Sequence, residues 1–591
     1  MTTMDVPVLV IGGGPAGLAG SILLSRLGID HVLVERHPST SPYPKAHLIN
    51  PRTLEILRQA GVADDVYEIG GPPGEYRVRF QTSLGGDGPL DGRELFAIDG
   101  FGGGSLRAST ERATPCPHTN LPQLRLEPVL RRHAEQHGHA TVLFGHEFVR
   151  YDEDADGVTA LVRDCRTGEN FTVRAQYVIG ADGGKTLAHQ LGVTLEGPRS
   201  IARLVSNHIS ADLSDHVQGD ALITLLMHPE NPFKFVGLVP MGPSYGKGTD
   251  WARESEEWGV SFALRPEDST TLTEDTVAPI IRQALRLPGL DLTVHRTSTW
   301  GVERVVADRF RYGRVFLVGD AAHRHVPTSG LGLNSAVQDV HNLAWKIAAV
   351  VRGQAGPDLL DTYEAERRPA DVRNADWALF TFMNNANIDV GLGLSASASQ
   401  EQNIAALAAY LSDTQAGATL RARGAEIIAT QRTEYQALDI ELGFSYESAA
   451  IVPDGTPRPP SDPLGLHYRA TTRPGHRLPH AWLQHGTERM STHDLTGVGD
   501  SFALITGRDG DTWRKAAATV TEELGVAITT ACVGAADGYL DPTGEWGQVS
   551  DIADDGAVLV RPDNHVAWRI HDSVQDPVHE LRKALSGILA R

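Results

Sequence analysis

The chain has 591 residues, enough for about three to five domains or one large enzyme with appendages, and 41% hydrophobic with 21% charged residues excludes a disordered or fibrous protein. Its 53 Lys plus Arg against 74 Asp plus Glu give a net charge of −21, which disfavours nucleic acid and anionic membrane surfaces as partners. Three scattered cysteines, Cys116, Cys165 and Cys532, form no CxxC, which excludes a disulfide framework and a cysteine-rich metal site and fits a soluble protein in a reducing, cytoplasmic setting.

No charge occurs between Asp5 and Arg26, but Gly12-Gly13-Gly14-Pro15 breaks that stretch, so it reads as strand (6–11), turn and helix rather than as a membrane span. A second strand, 31–34, ends at Glu35 and completes a βαβ unit. Asn50-Pro51 opens a helix that stops at Gly61, as an N-cap followed by a first-turn proline should, and Lys45 lies in the loop before it. Residues 100–105 (GFGGGS) read as a hairpin tip, because no helix of useful length is expected before Pro115. A helix over 122–137 precedes strands near 141–152, 158–164 and 170–179, an antiparallel meander whose last strand runs into Asp182-Gly183. Residues 195–300 are strand-rich (203–211, 221–228, 233–240, 258–264, and one ending at Trp300) with a helix near 275–287. A strand at 315–318 leads through the loop 319–333 into a long amphipathic helix ending near Gly353, and further helices are expected over 359–383 and 400–437. Beyond the Pro-rich segment 453–463, a strand (501–506), a helix (511–523), a strand (525–533), two strands across 557–570 and a helix (575–589) make a small α/β module.

The spacing Gly12-x-Gly14-x-x-Gly17 falls directly between a strand and a helix. Glycines there allow a tight turn and close approach of backbone to a pyrophosphate, and the helix N-terminus offers free N–H groups; Glu35 stands where a carboxylate accepts ribose hydroxyls. The pattern predicts a dinucleotide and does not decide between FAD and NAD.

Gly319-Asp320-Ala321-Ala322-His323, Pro327 and Gly330-Leu331-Gly332-Leu333-Asn334 resemble the single-component flavoprotein aromatic hydroxylases, the p-hydroxybenzoate and phenol hydroxylase family. Lys45-Ala46-His47, the segment Pro51 to Arg58, Leu121-Pro122-Gln123 and Asn342 to Lys346 look most like its 2,4-dichlorophenol branch, with polyketide-tailoring hydroxylases sharing most features. The resemblance implies a glutathione-reductase-like FAD-binding fold (1–195 and 301–385) and an antiparallel β sheet domain for substrate (75–115 and 196–300). It also implies a helical connection (386–452), a linker (453–465) and a C-terminal thioredoxin-like domain (466–591) that, lacking CxxC, is left with packing or dimerisation as its role. Noncovalent FAD is implied on Gly12, Gly14, Pro15, Ala16, Gly17, Glu35, Arg36, Lys45, Gln123, Asp182, Asp320, Pro327, Gly332, Leu333 and Asn334. Two positions depart from the family: Lys45 replaces an arginine, and Gly184-Lys185-Thr186 follows Asp182-Gly183 without the usual serine and arginine.

The implied activity is hydroxylation of a phenolic ring with O₂ and NADPH or NADH, a transient cosubstrate, through a C4a-hydroperoxyflavin. The alternatives are a flavin reductase without oxygen insertion and a noncatalytic flavin-binding protein. His47 ranks first as a base for the phenol, and His208, His228, Tyr245, Trp251 and Trp300 are candidate pocket residues. His323 and His325 are not assigned to a metal, because the flavin accounts for their loop, and a homodimer stays open.

Overall fold

A computed structural model of the chain describes all residues except 1–2, 232, 234, 245–249, 265–271 and 536–537. The first sheet places strands 315–317, 170–180, 3–11, 31–35 and 140–144 side by side, all parallel. Strands buried on both faces suit such a sheet, and Val8, Leu9 and Val10 are fully buried. Helix α1 (Pro15–Arg26) is buried along nearly its whole length, and its small residues bring it against a later helix: a Cβ on Gly20 would lie 3.3 Å from Val340. Helix α2 (Pro51–Gln59) starts as the sequence predicts, with the Asn50 carboxamide accepting from Thr53 N at 3.0 Å. Helix α3 (Gln123–Gln136) covers the sheet beside α1.

The expected strand 141–152 is two strands, Ala140–Phe144 and His146–Glu153, because Gly145 turns in the left-handed region (φ 73°). The first joins the parallel sheet, and only the second enters the meander with 158–164 and 170–180. Residues 100–105 are also not a hairpin tip. They link strand Glu94–Asp99 to a helix, Arg107–Ala113, and a side chain on Gly103 would collide with the Tyr76 backbone. The tight packing of that corner, not phosphate binding, explains its glycines.

The second sheet has seven strands in the order 292–302, 202–211, 257–264, 236–240, 221–226, 77–81, 94–99, antiparallel except where 221–226 meets 77–81. One face carries Val205, Ile209, Val260 and Phe262 under the helix Glu274–Leu285. Pairing register puts Leu204, Ser206, His208, Gly237, Ser261 and Ala263 on the other face.

Helix α4 (Gly332–Val351) packs on α1, and α5 (Asp361–Asn384) follows it. The stretch expected as helix over 400–437 is broken, since Thr414 caps a new helix, Gln415–Ile428, after Gln400–Leu411 has ended at Ser412. Residues 453–465 carry no regular structure, but Asp454 fastens them to Arg569 at 2.6 Å. The C-terminal region forms a four-stranded sheet ordered 528–532, 502–506, 557–560, 566–570, with helices Asp511–Leu524 and Pro577–Ile588 packed together. A hairpin, Trp482–His485 with Glu488–Ser491, precedes it and was not anticipated from sequence.

The contact between this region and helices α2, α4 and α5 is buried, with Phe502 edge-on to Trp345 (ring centroids 5.9 Å) and an ionic set beside that apolar packing. Arg561 pairs with Glu366 (2.5 and 2.9 Å) and Asp563, Lys346 meets Glu366 at 2.7 Å, and Arg477 binds Glu55. Removing one partner from such a set strands a buried charge, a loss of about 3–5 kcal/mol.

Candidate active site

The cleft forms where the N-termini of α1 and α4 lie together: a Cβ on Gly319 would stand 3.0 Å from Ala336 and 3.5 Å from Ala16. Neither helix has a side-chain cap, so their first-turn N–H groups face the cleft unsatisfied by protein side chains. The glycines divide into two kinds. A side chain on Gly12 or Gly17 would collide with backbone at Ala181 or Gly12, so the turn itself requires both. A Cβ on Gly14 would meet nothing within 4 Å, and one on Gly332 only His325 Cβ at 3.9 Å, with neither residue in the left-handed region. Among the described residues nothing forbids a larger side chain at 14 or 332, so both positions leave open space beside the two helix N-termini.

The polar residues expected to hold a dinucleotide are placed as follows. Glu35 lies at the end of its strand, oriented by Gly13 N (2.7 Å) and His37 N (2.8 Å). Asp320 is exposed on a short 3-10 turn and its carboxylate has no protein partner among the described residues. That turn is held by Asp339 of α4, which accepts from Gly319 N at 2.9 Å while binding His323 (2.8 Å) and Arg367 (2.9 Å). Burial alone would lower the His323 pKa, but the Asp371 and Asp339 carboxylates beside it hold it up at about 9, so His323 is a buried cation. Lys45, exposed and left-handed (φ 49°), sits in a loop whose neighbours Pro44 and Ala46 accept from Gln123 N (3.0 and 2.7 Å). The Gln123 side chain donates to Glu127 at 2.6 Å, and Glu127 also accepts from Ser41 N. Burial raises the Glu127 pKa above the ordinary carboxylate range.

Several expected ligands have side chains already engaged. Asn334 accepts from Asn50 N (3.0 Å) and donates to Leu48 O (3.1 Å) and Gly330 O (2.6 Å), so its amide ties the 48–50 segment to the start of α4. Both Asp182 oxygens accept backbone N–H groups, from Gly184 and from Thr186 and Leu187, and cap the short helix that follows. Arg36 is directed at His37, Pro327 is exposed in the turn before Ser329, and Leu333 is half-buried at the start of α4.

His47 donates through Nδ1 to Asn120 Oδ1 at 3.0 Å, an orientation assigned because Asn120 Nδ2 donates to Pro240 O at 3.1 Å. That leaves Nε2 as the acceptor nitrogen. Burial pushes the His47 pKa down to about 4, so the ring is neutral at pH 7.

The inner face of the seven-stranded sheet meets the cleft through Leu204, which packs with Val326 and Leu331 of the loop before α4 and with Ala378 of α5. Ser206, Ser261 and Gly237 continue that face with small side chains. Trp300, opposite Leu204, is 36% exposed and donates to Ser206 Oγ at 3.1 Å. His208 lies on the same face beside Glu257 (3.4 Å) and His295, with Arg125 3.0 Å from Glu257.

The geometry gives other roles to two expected pocket residues. His228 belongs to a cluster with Asp91, Glu230 and Arg286. Trp251 is buried against Gly71 and Gly242 as core packing. Tyr245 lies outside the described residues. Among the described residues, His208–Glu257–His295 and His323–His325–Asp371 bring ligand atoms close enough for an ion. In each, however, a guanidinium already neutralises the carboxylate, Arg125 in the first and Arg367 in the second (2.9 Å). Glu434 was missed by sequence reading: burial pushes its pKa up to about 8, and it accepts the N–H of Ser329, a left-handed residue in the loop before α4.

A family model described as FAD binding domain matches residues 5–378, and one described as aromatic-ring hydroxylase, C-terminal, matches residues 471–591. The 2,4-dichlorophenol 6-monooxygenase of Cupriavidus pinatubonensis is 34% identical over 597 residues, covering 100% of this chain and 97% of that protein. Tetracenomycin A2 monooxygenase-dioxygenase of Streptomyces glaucescens is 35% identical over 609 residues, covering 100% and 98%. Among solved structures, the flavin-dependent monooxygenase PieE in complex with FAD and substrate superimposes with a TM-score of 0.91 at 38% identity, covering 100% of both chains. No helix among the described residues is long and apolar enough to cross a membrane.

Proposed function

The chain belongs to the FAD-dependent aromatic-ring hydroxylases, and from that membership we propose that it adds one oxygen atom of O₂ to a phenolic ring held between the cleft and the seven-stranded sheet. It is an FAD monooxygenase that draws electrons from NADPH or NADH. The observation that carries the placement of FAD is the open space at Gly14 and Gly332, flanked by two uncapped helix ends and the free Asp320 carboxylate. In this reading the turn 12–17 and Lys45 hold the pyrophosphate, Glu35 the adenosine ribose and Asp320 the ribityl chain. The N–H groups of residues 332–334 face the ring system, and binding is noncovalent. When bound, FAD supplies electron transfer from the nicotinamide and activation of oxygen.

The protein's own task is to bind, orient and exclude water. Leu204, Val326, Leu331 and Ala378 supply the dry wall, and the α4 N-terminus favours negative charge on the adjacent ring. His47 serves as a hydrogen-bond acceptor that positions the phenol hydroxyl. With its pKa at about 4 against roughly 10 for a phenol, it orients that proton and does not remove it. Residues 1–195 with 301–385 form the flavin unit, 75–115 with 196–300 the substrate unit, and 386–452 and 453–465 connect them to 466–591. The first unit is glutathione-reductase-like and the last thioredoxin-like, and the protein works in the cytoplasm, with a homodimer compatible with this reading.

The test is NADPH and NADH oxidation with and without a panel of phenols and aromatic polyketides, with products read by mass spectrometry. Substrate-stimulated oxidation and a product heavier by one oxygen atom support the proposal. Oxidation without oxygenated product under every substrate would instead make the chain a reductase.

A further inference from the structure

The buried ionic contact between the C-terminal region and the flavin unit involves no group of the proposed chemistry, yet it reaches α4, whose N-terminus borders the cleft, and α2, which follows the 45–50 loop. On α2, the Arg52 guanidinium donates to Asp563 O at 2.7 Å and to Glu55 at 3.1 Å, and Gln59 donates to Pro562 O at 3.0 Å. On the α4 side, Arg561 clasps Glu366 of α5, which in turn receives Lys346 (2.7 Å) and Asn342 (2.6 Å) of α4. The two helices are also joined at the cleft, where Asn334 at the start of α4 holds Asn50 N and Leu48 O just ahead of α2. The turn 561–565 therefore touches α2 at Arg52 and Gln59 and α4 at Asn342 and, through Glu366, at Lys346, while the Asn334 amide joins the two helices at the flavin end.

We propose that the turn 561–565 is a positioning element of the flavin site: through Arg52 and Gln59 it fixes α2, through Glu366 it fixes α4, and so it sets the 45–50 loop and Asn334 in register around the cofactor. This gives the C-terminal region a role without dithiol chemistry, and it rests on the reading of the cleft as the FAD site. The contact specifies geometry as well as cohesion. Four cations (Arg52, Lys346, Arg477, Arg561) face three carboxylates (Glu55, Glu366, Asp563), so the set is not built for maximum ionic stability. Arg52 is the cation that it can lose most easily, because Glu55 keeps Arg477.

The test compares wild type, Arg52→Met, Arg52→Lys and a control, Val558→Ala, whose side chain lies in a C-terminal core cluster away from α2 and α4. Each is assayed well below its melting temperature for FAD Kd by flavin fluorescence, for the visible flavin spectrum, and for the rate of flavin reduction by NADPH with a phenol present. Arg52→Met should bind FAD at least about tenfold more weakly with an altered spectrum, Arg52→Lys should recover part of the loss, and Val558→Ala should melt earlier with Kd and spectrum unchanged. Wild-type Kd, spectrum and reduction rate in Arg52→Met would overturn the proposal, as would equal flavin loss in Val558→Ala. Should Arg52→Met fail to fold, Gln59→Met takes its place under the same criteria. A wild type that takes up no FAD would overturn the flavin reading as well, which separates the two failures.

Discussion

Replacing Gly332 by valine should separate cofactor binding from folding. The new Cβ meets only His325 Cβ, at an ordinary van der Waals distance of 3.9 Å, and the backbone there is not left-handed. Valine is also the better helix former, by a few tenths of a kcal/mol, so stability should stay within about 0.5 kcal/mol of wild type. The two methyl groups then occupy the space in front of the first N–H groups of α4. Losing one hydrogen bond to a charged acceptor removes about 1.5–3 kcal/mol, and displaced ring packing adds to it, so a total near 3 kcal/mol weakens FAD binding roughly a hundredfold. Urea melts of the apoprotein and FAD titration by fluorescence quenching measure the two quantities independently. Gly17→Ala provides the contrast, since its Cβ would run into Gly12 O and should destabilise the fold itself. If Gly332→Val binds FAD and turns over like wild type, residues 332–334 do not face the cofactor and the argument from open space is wrong.

Three further outcomes follow from the same geometry. Asp320→Asn should leave the melting temperature unchanged, because the carboxylate has no partner to lose among the described residues, and raise the FAD Kd about tenfold; an unchanged Kd would remove Asp320 from the site. His47, with a folded pKa of about 4 below the ordinary 6.5, gives stability that is present above pH 6.5 and lost as pH falls toward 4. Turnover should accordingly show no His47-dependent inflection between pH 6.5 and 8, and one that vanishes in His47→Gln would refute the assignment of a neutral ring. Gly237→Val has room on the sheet face, where Leu225 is 3.7 Å and Ser261 O 3.8 Å from the added Cβ. It should raise KM for fused-ring substrates more than for single-ring phenols while leaving FAD Kd alone, and an equal effect on both would place Gly237 away from the pocket.

What was readable in the sequence is what depends on neighbours close along the chain. The first βαβ unit, the Asn50-Pro51 helix start and the loop into α4 announce themselves by turn glycines, caps and periodicity within about twenty residues. The two kinds of glycine at 12–17 were not separable, because the atoms that crowd Gly12 come from Ala181 and those that spare Gly14 come from nowhere in the chain. His228 and Trp251 looked like pocket residues only while Arg286, Asp91 and Gly71 were unknown as their neighbours. The ionic contact was hidden for the same reason, since Glu55 and Arg477 are 422 residues apart. One trace of it was present: Lys346 falls between Leu343 and Ile347 on the apolar stripe of α4, and a charge at a core-facing position demands a buried partner.

The Arg52 to Asp563 bond also orders events in time. Its two ends are separated by 511 residues, so at about 5–20 residues per second of synthesis Arg52 waits roughly 25 to 100 seconds for its acceptor. Throughout that interval α2 has its cap and its sequence but not its ionic anchor, while the 45–50 loop ahead of it gains its own partners earlier, Gln123 first and Asn334 later. With the role proposed for the turn 561–565, the flavin site reaches its final register only after translation has passed position 563.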